Sequence, residues 1–126
     1  MNILKKVLTS AALAAMVAAA HAEVVVVVSA KSAVSALTKD QVSDIFLGKA
    51  ATFPQGGQAV PIDLAPGAAN RDEFYTKVTG RTAAQLKSYW AKQSFSGKGT
   101  APKAVAGDDE VKKLIAANPN TISYID

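Results

Sequence analysis

Four places in the chain carry residues able to do chemistry. Asn70-Arg71 follows Pro66-Gly67-Ala68-Ala69 and precedes Asp72-Glu73. A helix N-terminus fed by a small-residue turn can hold an anion on its free backbone N–H groups. Arg71 would add a bidentate fork for an oxyanion, the other reading being a solvated surface arginine. Ser29, Lys31 and Ser32 stand directly after a run of valines, where an open α/β sheet places ligands beyond the carboxyl ends of its strands. Hydroxyls and N–H groups there suit the same oxyanion, or else form an ordinary polar loop. Lys98 lies in "FSGKGT", residues 95–100. A phosphate loop needs glycine five positions before Gly97, and Lys92 occupies that place, so the motif fails. What remains is a basic loop that touches a ligand or partner, with Lys98 as a peripheral contact. Asp108, Asp109 and Glu110 read as cap and dipole partners of a helix start rather than as a cation site.

What is missing narrows the chemistry further. The chain contains no cysteine and one histidine, His21. That histidine falls inside a segment with the layout of a secretory signal: Lys5-Lys6, the apolar run Val7–Ala19, then Ala20-His21-Ala22 as a small-residue cleavage site. Cleavage is expected after Ala22, with residues 1–22 as leader and 23–126 as the mature domain. The run is too short and too interrupted, by Thr9 and Ser10, for a membrane anchor. A periplasmic domain without direct membrane insertion is therefore expected. Serine–histidine and cysteine–histidine catalysis and histidine-bearing zinc sites are excluded from such a domain. With no pair of carboxylates, tyrosines or lysines marked out by spacing, the expectation is a binding protein, not an enzyme, with no metal and no cofactor.

Removing 22 of the 126 residues leaves 104, enough for one core and one small domain. Lys5 and Lys6 leave with the leader, so the formal charge falls from +4 to +2, too little to argue for nucleic acid.

The elements that must position these residues are legible from capping and periodicity. Val24–Val28 reads as a buried strand of a parallel sheet, and Val60–Leu64 and Thr121–Ile125 as two more strands. Thr38-Lys39-Asp40-Gln41 is a capping box with Leu37 and Val42 as its hydrophobic staple, and Gly48 ends that helix. Asn70 starts a second helix with Phe74 and Val78 on one face and Gly80 as its stop. Thr82-Ala83-Ala84-Gln85 repeats the capping box, and Leu86, Tyr89 and Trp90 continue a core stripe. Asp108 is expected to cap a last helix with Val111, Leu114 and Ile115 inward, closed by Asn118-Pro119. Strands alternating with helices give an α/β layered domain.

The order of these features resembles the small periplasmic-binding-protein-like (PBP-like) domain related to phosphate ABC-transporter substrate-binding proteins. The resemblance spans residues 37–126, and its most specific pieces are "IFLGK", "YWAKQSFSGKG" and "NPNTISYI". It implies an α/β fold, one lobe with a short, mainly parallel sheet flanked by helices, that recognises phosphate or a similar oxyanion and is associated with a membrane transporter. Full-length members carry a Ser-Gly-Thr turn near an arginine and enclose ligand between two lobes. Here the turn reads Gly67-Ala68-Ala69-Asn70-Arg71, so the arginine matches and the hydroxyls do not. The chain has residues for one lobe, so tight binding calls for a second chain. Ser29, Ser32, Asn70 and Arg71 are the expected ligands. The alternative is an envelope adaptor that kept the fold and lost the ligand, with Phe53 and Phe95 as contact anchors.

Overall fold

The computed structural model describes residues 4–7, 23–97 and 99–126. Most of the expected leader, with its cleavage site, lies outside the described residues, and so does Lys98.

The helix starts follow the capping signals where the cap has a side chain to offer. In α1 (Lys39–Phe46) the Thr38 hydroxyl accepts from Gln41 N at 3.1 Å, and Thr38 N donates to Gln41 Oε1 at 2.9 Å. In α3 (Ala83–Phe95) Thr82 and Gln85 close the same reciprocal pair. Each box satisfies two N–H groups that the helix itself cannot.

The other two starts differ from expectation. Helix α2 (Ala69–Thr79) is capped by Ala68, which offers no side-chain acceptor. Asn70 sits inside its first turn, and its amide donates instead to Asp108 Oδ1 at 3.4 Å. Helix α4 (Asp108–Ala117) is capped by the backbone of Gly107. Asp108 is its first helical residue, and its other oxygen accepts from Asp126 N at 3.3 Å. Tertiary partners on neighbouring segments outbid the local cap in both cases.

The strands are β1 (Leu4–Val7), β2 (Val25–Ser29), β3 (Val60–Leu64), β4 (Lys103–Val105) and β5 (Thr121–Ile125). They form one sheet in the order β1-β2-β5-β3-β4. β3 lies parallel to both β4 and β5, while β2 runs antiparallel to β5 and to β1. The α/β single lobe is as the sequence indicated, but the sheet is mixed rather than mainly parallel. A valine run buried on both faces reports depth, not direction, so the orientation of β2 was invisible in it. Three-residue β4 is too short to show alternation, so its stretch of sequence reads as loop.

Helix α4 packs on β2 and β5, and α1 packs on α2 and β3. Between α1, α2 and β5 lies an aromatic cluster. Phe74 stacks on Tyr124 with ring centroids 4.0 Å apart, and Phe46 meets Phe74 edge-on at 4.8 Å. Phe53, an anchor of the adaptor reading, is buried in the core. Tyr89 and Trp90 are only half-buried: Tyr89 donates its hydroxyl to Leu47 O at 2.6 Å, tying α3 to the end of α1.

Gly48, just past α1, holds φ +76°, and a Cβ there would sit 3.1 Å from Trp90 Cη2. Gly48→Ala is therefore expected to cost about 1–2 kcal/mol, the left-handed penalty for an L-residue, plus displacement of the indole. Urea denaturation measures it, and an unchanged midpoint would show the turn to be unstrained.

Candidate functional site

The most unusual chemistry in the described chain is a carboxylate buried at the end of β3. Asp63 is 3% exposed, in a strand otherwise made of apolar residues and proline. Burying a carboxylate is tolerated only where it is paired and hydrogen-bonded, and Asp63 is saturated. Its Oδ2 accepts from the Tyr75 hydroxyl at 2.7 Å, and its Oδ1 accepts from the Tyr124 hydroxyl and from Leu64 N at 2.8 Å. Arg71 Nε stands 3.5 Å from Oδ2 as an ion pair.

Three elements converge to make this centre: β3 brings Asp63, the first two turns of α2 bring Arg71 and Tyr75, and β5 brings Tyr124. Residues 71 and 75 are one helical turn apart, so they share a face, and the Arg71 guanidinium carbon lies 5.3 Å from the Tyr75 ring centroid. Burial, and after it the neighbouring Asp63 carboxylate, raises the pKa of both Tyr75 and Tyr124 far above the ordinary phenol value. Both hydroxyls are therefore fixed donors to Asp63.

Arg71 is not the solvated surface arginine of the blander reading. Its side chain is 14% exposed, held between Asp63 and the face of Tyr75. Its buried Nε has no hydrogen-bond partner, and its terminal nitrogens make no hydrogen bond to any described residue. A guanidinium pinned along one edge in this way keeps donors for a ligand. It stands in the first turn of α2, beside the first N–H groups of that helix, which have no intrahelical acceptor. Gly67, at φ +100°, makes the turn that brings the chain from β3 into the helix.

Asn70 adjoins Arg71, with its amide engaged by Asp108. Ser29 and Ser32 do not join them. Because β2 is antiparallel to β5 and β5 is parallel to β3, Ser29 falls at the Thr121–Val60 end of the sheet, opposite the Asp63 end. Both serines are buried, and their hydroxyls accept from Lys31 N and Val34 N at 3.1 Å each. The sequence reasoning missed Asp63, Tyr75 and Tyr124. The available signal was a lone carboxylate in a five-residue strand, which needs partners if that strand is buried.

Two open grooves lie elsewhere among the described residues: one of about 620 Å³ between the end of α2 and α3, beside Arg81, Tyr89 and Lys92, and one of about 500 Å³ between β4 and α4. Neither includes Asn70 or Arg71.

No protein-family model matches the chain, and no curated protein does. Among solved structures it is similar to one from Clostridium perfringens described as a phosphate ABC transporter substrate-binding protein with bound phosphate, with a TM-score of 0.64 and 23% identity. The match covers 82% of this chain and 39% of that one. The fold is therefore that of a single PBP-like lobe, and the chain spans well under half the length of the protein it matches.

Proposed function

We propose that the protein is a non-enzymatic, periplasmic oxyanion-binding module that presents half of a phosphate-type site, and that it works with a second chain or a membrane transporter. The observation that carries this is Arg71, fixed by Asp63 and Tyr75 at a helix start without a side-chain cap, its terminal donors unused by the described residues. The fold shared with a phosphate-bound protein supports the choice of ligand class. Asp63 does not itself face the anion, because its oxygens are occupied; it is a positioning residue for Arg71. Exposed Asp72 in the same turn opposes an anion, and the one-sided site leaves it hydrated, so affinity is expected to be modest.

Phosphate at about ten times its Kd is expected to add about 1.4 kcal/mol to stability, a melting rise of about 5–10 °C for a domain of this size. Arg71→Ala should abolish the rise. Sulfate, molybdate and organic phosphonates define the selectivity, with chloride at equal ionic strength as control. An equal rise in chloride, or one that survives Arg71→Ala, rejects the site.

One observation favours the adaptor reading as a second possibility. Phe95, at the end of α3, is 97% exposed, although its supposed companion Phe53 is buried.

A further inference from the structure

We infer that the processed chain self-associates through the edge of β2, joining two lobes into one continuous sheet. The inference rests on the reading that residues 1–22 are removed and is independent of the anion site. In the full chain that edge is occupied: Leu4–Val7 pairs antiparallel with it, with Leu4 opposite Ser29 and Val7 opposite Val26. All of β1 precedes Ala22, so cleavage takes it away and exposes a row of unpaired backbone N–H and C=O groups.

Edge strands are normally protected by charge, proline, bulges or brevity. Val25-Val26-Val27-Val28-Ser29 has no charge and no proline, and it pairs with β5 in continuous register. The occupant best matched to it is its own copy. By backbone register Lys5 stands opposite Val28 and Lys6 opposite Val27, so the sequence pairs a lysine with a valine at two of the four positions. A second β2 offers valine to valine. Antiparallel pairing of identical strands is closed by a two-fold axis and leaves no further edge of this kind, and β-branched cross-strand pairs are favourable. A five-residue ladder is small beside the roughly 800 Å² per partner of a standard interface, so association should be concentration-dependent. The Asp63 end of β3 stands two strands away from β2, so pairing leaves Arg71 accessible.

The test uses the full chain exported into a bacterial periplasm and purified from it. Intact mass shows whether residues 1–22 are gone. Sedimentation equilibrium of the processed form is expected to show monomer and dimer exchanging below about 0.5 mM. Hydrogen exchange should slow with concentration at those β2 amides that point away from β5. Val25→Lys, at the half-buried start of the strand, should abolish the dimer, while Arg71→Ala should leave it intact. If Val25→Lys fails to fold, the exchange measurement on the unaltered protein still decides. A processed chain that stays monomeric, or whose outward β2 amides exchange at a rate independent of concentration, overturns the proposal. So does a chain that keeps residues 1–22, because the edge then belongs to its own strand; the mass separates that failure from a failure of pairing.

Discussion

Asp63→Ala is expected to remove about 3–5 kcal/mol of folding stability, the cost of deleting one partner of a buried ion pair. The substitution strands Arg71, whose Nε already lacks a hydrogen bond, and leaves the hydroxyls of Tyr75 and Tyr124 without their acceptor. Because total stability for a domain is only about 5–15 kcal/mol, much of the protein should be unfolded or easily unfolded. Equilibrium urea denaturation followed by far-UV circular dichroism measures the loss. A loss under about 1 kcal/mol, the range of an exposed pair, would mean that the carboxylate is not carrying the centre. Asp63→Asn keeps the shape and an acceptor but removes the charge, so Arg71 should lose its anchoring more than the tyrosines lose theirs. The phosphate-dependent melting rise should then shrink even where Asp63→Asn is folded, which separates positioning from mere stability.

Above pH 10 the protein should lose stability steeply. Tyr75 and Tyr124 have their pKa raised from 10.0 by burial and by Asp63. In the unfolded chain both phenols release their protons near pH 10, while the folded chain keeps them bound. Over that window the native state binds more protons than the unfolded state, so stability falls as pH rises. Each retained proton contributes about 1.36 kcal/mol per pH unit, and the two together about 2.7. Their contribution is fully present below pH 10. Denaturation series at several alkaline pH values measure the slope, and Tyr124→Phe should roughly halve it, since Tyr75 alone then holds its proton against the solvent. An equal slope in Tyr124→Phe and the unaltered protein would assign the alkaline loss to other groups.

How much of this was readable beforehand depends on the range of the interactions involved. Thr38 with Gln41 and Thr82 with Gln85 are pairs three residues apart, and both helix starts stood where those residues predicted. Gly80 ends α2 in the left-handed conformation, as its position implied. Asn70 and Asp108 looked like caps of the same kind, yet they bond across 38 residues to each other. The type of Arg71 and its place in the chain make it a candidate ligand from sequence alone. Its burial and its partner Asp63 were not legible, because nothing local to "VPIDL" says which tyrosines will reach it. Ser29 and Ser32 would stand near Arg71 only if β2 ran parallel to its neighbours, and the antiparallel pairing with β5 separates them.

By itself the sequence determined the properties that depend on composition or on a few neighbouring residues: no thiol chemistry, four helices with their approximate ends, three of the strands, and an α/β layering. Only the tertiary structure decided which way β2 runs, which side chains meet at the end of β3, and that Arg71 is gripped by Asp63 and Tyr75 with its terminal nitrogens unbonded to any described residue. Strand direction and the partnership of Asp63 with Tyr124, 61 residues away, are settled by how distant surfaces pack. A backbone hydrogen bond or a cap is settled within one turn, and that difference in range divides the two kinds of knowledge.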